Sequence, residues 1–217
     1  MKIRSYLTPG HILYGVLLLA PFVAGVVFYS RMPEQVPIHW NAANEPDNFA
    51  GRAVALFVLP AILLVLNAVV WFFTTHDPKK DNLKRSKGLL TLAHWFLAVL
   101  PLFMQAIVIA AALLPYGLNV GMIVMMGVGL LLALVGNYLP KCQPNYTVGI
   151  RLPWTLASEE NWRRTHRFAG GVWVVGGLLI ALFALTPWQY LDVIPLLSMV
   201  FIPAVYSFLL YCKEKKR

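Results

Sequence analysis

The chain has 217 residues, of which 59% are hydrophobic and only 12% are charged, whereas a soluble globular domain is about half apolar. This composition excludes an ordinary soluble domain and indicates an integral membrane protein. The net charge of +9 would suit a nucleic-acid partner, but most of the basic residues flank apolar segments, which is the usual pattern of a membrane protein.

Six apolar runs are each long enough to cross a hydrocarbon core, which requires about 20 helical residues. They cover residues 11–30, 53–75, 89–113, 120–139, 169–186 and 191–211. We therefore predict an all-α integral membrane protein with six transmembrane helices. In the fourth and fifth runs, Gly129 with Ala133 and Gly177 with Ala181 are four positions apart, and this spacing of small residues predicts that the two helices pack closely on each other.

Most basic residues fall on one side of the membrane if both termini lie on that side. The residues that follow this pattern are Lys2, Arg4, Lys79, Lys80, Lys84, Arg85, Lys87, Lys141, Arg151, Arg163, Arg164, Arg167, Lys213, Lys215, Lys216 and Arg217. Only Arg31 and Arg52 lie opposite. Because cytoplasmic segments are enriched in Lys and Arg, we predict that both termini are cytoplasmic. The positive charge then needs no direct nucleic-acid partner.

The loop between the first two spans, residues 31–52, is predicted to be external. Its prolines, its Asn and Asp positions and its lack of helical periodicity predict an ordered, turn-rich lid. The candidate contact residues of this loop are Pro33, Pro37, His39, Trp40, Asn41 and Gly51. A metal site from His39 with Glu45 or Asp47 would use suitable ligands, but the spacing matches no established ligand pattern. We therefore predict no metal, and Trp40 is interpreted as an interface anchor.

Two ionisable residues lie near the ends of apolar runs. His94 is expected to be neutral and hydrogen-bonded between helices, because the sequence identifies no partner for a proton relay. Asp192 is expected to reach water, since a side chain near a helix end can extend toward the interface at low cost. Neither residue is assigned a role by the sequence.

The polar interruption between the fourth and fifth spans, residues 136–171, is the strongest candidate for a functional site. It reads GNYLPKCQPNYTVGIRLPWTLASEENWRRTHRFAGG and includes a predicted cytoplasmic loop, 140–168. Thr155 or Ser158 is the expected N-cap of a helix that runs directly into span 5. Trp162 and His166 share a predicted face of that helix. The helix either docks an acidic or aromatic partner, or places Trp162 among headgroups and its arginines on phosphates.

Three parts of this stretch, GNYLPK, PNYTVGIRLPWTL and SEENWRRTHRFAGG, resemble the signature of the bacterial immunity family that protects cells against the sporulation-delaying killing peptide. The external segment MPEQVPIHWNAANEPDNFAGR resembles the domain of unknown function found at the N-terminus of longer members. The resemblance implies resistance to a secreted membrane-active peptide toxin at the bacterial cytoplasmic (inner) membrane. It also implies a signalling receptor that sequesters a small winged-helix repressor at the membrane.

Carried onto this chain, the resemblance selects a set of cytoplasmic signature residues. They are Asn137, Pro140, Pro144, Asn145, Gly149, Arg151, Pro153, Trp154, Thr155, Ser158, Trp162, His166 and Gly170. It also predicts two parts of the chain, a two-span unit in residues 1–75 with the external loop and a four-span immunity-family unit in residues 76–217. The expected partners are membrane lipids, a toxin outside and a repressor inside.

Two other functions are weighed against this interpretation. A small-molecule or ion transporter is the alternative that six proline-broken spans permit, but no Asp, Glu, Lys or Arg lies near the middle of a span. An intramembrane enzyme would need a nucleophile with a base or a metal site, and the sequence has no HExxH or G-x-S-x-G pattern. We therefore expect a protein that is not an enzyme and has no cofactor.

Overall fold

The computed structural model describes residues 9–41, 43–114 and 117–215. The basic residues Lys2, Arg4, Lys216 and Arg217, which contribute to the predicted orientation of the termini, lie outside the described residues. Within the described part, six helical segments are long and apolar enough to cross a membrane, which confirms the predicted number. These segments are Pro9–Arg31, Val54–His76, Lys87–Leu113, Val120–Lys141, Glu159–Phe183 and Tyr190–Lys215.

The described α-helices include short connecting helices as well as the long spanning ones. In chain order they are α1 (Pro9–Phe28), α2 (Leu59–His76), α3 (Lys80–Arg85), α4 (Lys87–Leu113), α5 (Val120–Tyr138), α6 (Pro153–Ala157), α7 (Glu159–Phe183) and α8 (Val193–Lys215). Short 3₁₀ or π-helical turns extend four of the described spans. These turns are Tyr29–Arg31, Val54–Val58, Leu139–Lys141 and Gln189–Asp192. The long helices follow from the apolar runs, because a helix satisfies every backbone polar group within its own segment.

The loop after α1 is ordered, as predicted, but it forms a β-hairpin that the sequence analysis did not foresee. Strands β1 (Gln35–Trp40) and β2 (Pro46–Gly51) pair antiparallel. Asn41 builds the turn, because its Oδ1 accepts hydrogen bonds from the amides of Ala43 at 2.9 Å and Glu45 at 3.0 Å. Asn44 follows in the left-handed region with φ of 61°, a conformation that asparagine tolerates better than most residues.

The residues group into two compact units. One unit contains the described residues up to Val70 together with Ala93–Val120, and the other contains Trp71–Leu92 together with the described residues from Gly121 onward. In the first unit the hairpin is held by an apolar cluster in which Met32, Val36 and Leu56 are buried. The predicted division into residues 1–75 and 76–217 concerns sequence families, and it stays a prediction.

In the second unit, α5 and α7 make the close contact predicted from their small residues. A Cβ added at Gly177 would lie 2.4 Å from the backbone nitrogen of Ala133 and 2.5 Å from the carbonyl oxygen of Gly129. A Cβ added at Gly129 would lie 2.5 Å from the nitrogen of Ala181. The two backbones therefore touch where side chains would keep other helices apart. This contact positions the polar loop that joins α5 to α7.

Candidate functional site

The loop between α5 and α7, residues 140–158 and hereafter the signature loop, is anchored to the end of α2 by one buried carboxylate. Asp77 accepts hydrogen bonds from the Tyr146 amide at 3.0 Å and from the Thr147 hydroxyl at 2.5 Å. Its other oxygen accepts from the Lys79 amide at 2.7 Å. The sequence analysis did not select Asp77, although the Asp-Pro pair at positions 77 and 78 is a turn signal.

Two further anchors come from α3, the short helix after Asp77, and from Ser86, the residue that caps its C-terminus. The Asn82 side-chain amide donates to the Pro144 carbonyl at 2.8 Å. The Ser86 hydroxyl accepts from the Gln143 amide at 2.9 Å. The connector between α2 and α4 therefore binds the signature loop through its polar residues, whereas its basic residues were the ones that the sequence analysis used.

The buried side chain of Asn145 shapes the first turn of the signature loop. Its Oδ1 accepts from the amides of Thr147 at 2.8 Å and Val148 at 2.7 Å, and its Nδ2 donates to the Gln143 carbonyl at 2.7 Å. Backbone groups that have no partner in a helix or sheet are thus satisfied by one amide. The signature residue Asn145 is therefore a structural element of the loop rather than an exposed contact.

The centre of the loop rests on His166 of α7. The Ile150 amide donates to His166 Nε2 at 2.9 Å, and His166 Nδ1 lies 2.8 Å from the Trp162 carbonyl oxygen. Because Ile150 N–H can only donate and a carbonyl can only accept, the ring carries its hydrogen on Nδ1. The Trp162 ring stacks on His166 with centroids 4.1 Å apart, and its Nε1 donates to the Cys142 carbonyl at 2.8 Å.

Gly149 makes this arrangement possible. Its φ is +108°, and an added Cβ would lie 2.5 Å from His166 Nε2 and 3.1 Å from a ring carbon of Trp162. Only glycine reaches this backbone conformation without strain. The amide of the next residue, Ile150, can therefore approach the imidazole closely enough to bond to it.

The end of the loop is tied to α7 and α8. Thr155 Oγ1 accepts from the Leu152 amide at 2.9 Å, and the Ser158 hydroxyl accepts from the Asn161 amide at 3.2 Å as the N-cap of α7. The two N-cap candidates thus stabilise successive turns. The expectation that the helix runs directly into span 5 is confirmed.

Ser207 of α8 accepts hydrogen bonds from both the signature loop and α7. Its hydroxyl accepts from Trp154 Nε1 at 2.9 Å, and its carbonyl accepts from Asn161 Nδ2 at 3.0 Å. Ser207 and Asn161 are fully buried. Neither was selected from the sequence, because serine or asparagine in a span is too common to indicate a particular partner.

The structure corrects the prediction of which side chains are exposed on the first turns of α7. Trp162 and His166 are buried beneath the signature loop, so Trp162 does not lie among lipid headgroups and His166 does not contact a partner. The exposed side of this segment is basic and carries Arg163 and Arg164, with Glu160 bonded to Arg163. Of the side chains predicted to dock a partner or to contact lipid phosphates, only the arginines of these first turns are exposed to do so.

The remaining signature residues divide by exposure. Pro144 is buried within the loop, and Gly170 packs against α5, where an added Cβ would lie 2.9 Å from the Gly136 carbonyl oxygen. The exposed members are Asn137, Pro140, Arg151 and Pro153.

We call a group of three residues the loop surface: Tyr146 and Arg151 of the signature loop, and Lys79 of the connector that follows α2. The Lys79 ammonium lies 5.5 Å from the centre of the Tyr146 ring. Arg151 Nη1 donates to the Tyr146 carbonyl at 2.5 Å. Tyr146 is 46% exposed. An exposed aromatic ring with one cation against it and a second bonded to its own backbone carbonyl suits a partner with acidic and apolar groups.

The cysteine of the signature loop, Cys142, is a buried free thiol. Burial raises the pKa of the Cys142 thiol to about 11, although a hydrogen bond from Asn145 works in the opposite direction. The thiol is therefore protonated and unreactive at neutral pH. Among the described residues, no group of three or more His, Cys, Asp or Glu side chains is arranged to hold a metal ion.

The hairpin presents a mixed polar and apolar surface. His39 Nδ1 lies 2.5 Å from Asp47 Oδ1, and both side chains are substantially exposed. The Pro33 carbonyl accepts from Arg52 Nε at 3.2 Å. Apolar exposure comes from Ile38 and Phe49, which the sequence analysis did not select. Exposure along β1 does not alternate as in a regular strand, because its pairing with β2 is irregular on both sides of His39.

Other hairpin candidates contribute to structure. Pro37 is buried in β1, Trp40 is half-buried, and Asn41 and Gly51 are exposed at the two ends of the strand pair. The expectation for Asp192 is wrong, because this residue is only 4% exposed and neither carboxylate oxygen has a hydrogen-bond partner in the described part of the chain.

Six spanning helices, an ordered hairpin and a loop folded around buried polar side chains define a multi-pass helical membrane protein with ordered elements outside the spans. Residues 141–211 match the SdpI/YfhL protein family, and residues 16–64 match a domain of unknown function, DUF1648. Residues 141–211 are therefore a segment of the SdpI/YfhL type, and the chain is a multi-pass bacterial membrane protein.

Comparison with curated proteins gives one relative that covers nearly the whole chain. Immunity protein SdpI of Bacillus subtilis (strain 168) is 27% identical over 93% of this chain and 94% of its own length. The uncharacterized membrane protein YbgB of the same organism is 36% identical over 27% of this chain and 63% of its own length. An uncharacterized protein of Archaeoglobus fulgidus is 41% identical over 21% of this chain and 25% of its own. No solved structure matches significantly.

Proposed function

We propose that this chain is a membrane immunity protein that gives its cell resistance to a secreted membrane-active peptide toxin, without enzymatic chemistry. The observation that carries the proposal is the similarity to Immunity protein SdpI, which extends over 93% of this chain. The buried signature side chains support a binding role rather than catalysis, since Asn145 and His166 are used fully in holding the loop.

The distribution of basic residues supports an orientation with the hairpin outside the cell and the signature loop in the cytoplasm. In that orientation the hairpin is the element that a secreted peptide meets first. Ile38 and Phe49 supply exposed apolar area, and His39 with Asp47 supplies an exposed polar pair beside it. This combination suits an amphipathic peptide.

The test is survival of a toxin-sensitive bacterium that expresses the chain and is exposed to secreted membrane-active peptides, among them the sporulation-delaying killing peptide. Membrane insertion is quantified in the same cells. We expect survival above the empty-vector level, and we expect a variant with Ile38→Ser and Phe49→Ser to lose most of it. Tyr146→Ser is the matched control, because it also removes an exposed large side chain but at the signature loop.

Survival at the empty-vector level despite normal insertion would contradict the immunity function. Equal loss of survival in the hairpin variant and in Tyr146→Ser would contradict the assignment of toxin contact to the hairpin.

We also propose that the protein acts as a signalling receptor and sequesters a small winged-helix repressor at the membrane when toxin is present. The loop surface is the candidate contact, since Tyr146 is exposed, Lys79 lies against its ring and Arg151 bonds to its carbonyl. An acidic, partly apolar patch on the repressor would complement it.

This second proposal is tested by measuring the fraction of a co-expressed repressor that sediments with membranes, with and without toxin. The test uses a small winged-helix protein encoded next to the gene for this chain, and the lack of any such neighbouring gene would contradict the receptor role. We expect toxin-dependent sedimentation that Tyr146→Ala abolishes and Lys84→Ala preserves, because Lys84 is an exposed basic residue outside the loop surface. Sedimentation that does not respond to toxin, or that survives Tyr146→Ala, would contradict this receptor role.

A further inference from the structure

An open apolar groove of about 610 Å³ runs between α7 and α8 within the second unit. Its walls include Phe168, Val175, Leu179 and Ile202. None of these residues belongs to the signature loop or to the hairpin, so the groove is not used by the function proposed above. It lies along two helices that are long and apolar enough to cross a membrane.

Small residues create the groove. Gly171 lines it, and a Cβ added there would have nothing within 4 Å. At Gly176, in contrast, an added Cβ would lie 2.6 Å from Met199 Sδ of α8. The two helices are therefore in close contact at Gly176 and leave open space beside Gly171.

One end of the groove is positively charged. Arg164 and Arg167 precede Phe168 and Gly171 by four residues each, so they lie on the same face of α7 as the groove wall, one turn before it. Both arginines are exposed. Arg164 Nε is 3.9 Å from a Glu160 oxygen. In the described part of the chain, Arg167 has no carboxylate partner.

We propose that this groove binds one phospholipid with an anionic headgroup, with an acyl chain between α7 and α8 and the headgroup phosphate at Arg164 and Arg167. The wall on α7 extends from Phe168 to Phe183, which is about 22 Å at 1.5 Å per residue. One leaflet of hydrocarbon is about 15 Å thick, so the groove is long enough for one acyl chain.

The charge at the groove end selects the headgroup. A zwitterionic headgroup places a cation beside its phosphate, whereas an anionic headgroup leaves a net negative charge for Arg164 and Arg167 to neutralise. Because the groove is apolar and its end is cationic, a molecule with an apolar tail and an anionic head fits both parts. The site is therefore expected to retain phosphatidylglycerol in preference to phosphatidylcholine.

The experiment is native mass spectrometry of the purified full chain in non-ionic detergent, titrated separately with phosphatidylglycerol, phosphatidylcholine and inorganic phosphate. We expect one tightly retained phosphatidylglycerol. Arg164→Gln with Arg167→Gln should weaken its retention by about fivefold per arginine and weaken retention of phosphatidylcholine less, because its headgroup has no net charge. Gly171→Phe, which fills the groove, should reduce both lipids.

Gly15→Phe is the matched control, since Gly15 is another helical glycine beside which an added Cβ has nothing within 4 Å, and it does not line the groove. If Gly171→Phe does not fold, Ser198→Leu fills the same groove from α8. Equal retention of phosphatidylglycerol by the wild type and the groove-filling variant would overturn the proposal.

Three other results would also overturn it. Equal retention of the two lipids would remove the role of the arginines, and binding of inorganic phosphate as tight as that of phosphatidylglycerol would remove the role of the groove. Conversion of a dimer into a monomer by Gly171→Phe would assign the groove to a second copy of the chain instead of a lipid.

Discussion

Replacing Gly149 by alanine should release the signature loop from α7. The added Cβ would lie 2.5 Å from His166 Nε2 at a residue whose φ is +108°. The imidazole or the loop must then move, and the 2.9 Å bond from the Ile150 amide to Nε2 is lost. The rest of the loop keeps its anchor at Asp77, so the change is local to the contact between the loop and His166.

The size of the effect follows from two contributions. Alanine in a left-handed conformation costs about 1–3 kcal/mol, and an unsatisfied buried backbone amide at Ile150 costs about 1–3 kcal/mol. Their sum is centred near 4 kcal/mol, which corresponds to a decrease in Tm of roughly 8–16 °C for a chain of this size. Gly171→Ala is the control and should be neutral or stabilising by about 0.5–1 kcal/mol, since glycine is a poor helix former.

The assay is thermal unfolding in detergent of the wild type, Gly149→Ala, His166→Ala and the double variant. His166→Ala already removes the bond from Ile150, so adding Gly149→Ala should then cost only the backbone contribution of about 1–3 kcal/mol. Full additivity of the two substitutions would refute the argument that Gly149 is required because of His166. A Gly149→Ala protein as stable as the wild type would refute the conformational argument as well.

Three further changes test other parts of the structure. Burial raises the pKa of the Cys142 thiol from 9.0 to about 11, so this thiol should resist maleimide at pH 8 until the protein unfolds. The free energy of unfolding should decrease as pH rises from 9 to 11, since the thiol ionises first in the unfolded chain. Faster maleimide labelling of Cys142 than of Cys212 in the folded protein would contradict this. Gly177→Ala should destabilise by about 1–3 kcal/mol, because its Cβ meets the Ala133 backbone at 2.4 Å, whereas Gly15→Ala should not lower Tm. Asp192→Asn should raise Tm by a few degrees, because burying a neutral amide without a partner costs less than burying a carboxylate, and a lower Tm would show that the carboxylate has a stabilising partner.

The membrane class, the number of spans and the contact between α5 and α7 could be predicted because they are encoded in local patterns. Apolar runs of about 20 residues have few alternatives to a spanning helix. The four-residue spacing of Gly129, Ala133, Gly177 and Ala181 likewise places small residues on one face of each helix, whatever the rest of the chain does. The signature loop was located by its motif for the same reason.

The hairpin could not be predicted, because its prolines and asparagines resemble those of an irregular loop. Pro37 and Pro46 lie within the two strands, and proline is tolerated there because each strand of a two-stranded sheet is an edge. The pairing of β1 with β2 depends on the Asn41 turn and on the apolar cluster beneath Val36. The turn-forming residues of the sequence do not by themselves show that the two strands pair.

The sequence by itself determined that this chain crosses a membrane six times and carries a polar loop of the SdpI/YfhL family between its fourth and fifth spans. Only the tertiary structure decided what the loop residues do. Trp162 and His166 have the same amphipathic spacing whether they face lipid or the loop, and Tyr146 meets Asp77 across 69 positions of sequence. Burial is set by such distant partners, because buried polar groups must be paired with whatever the fold brings to them.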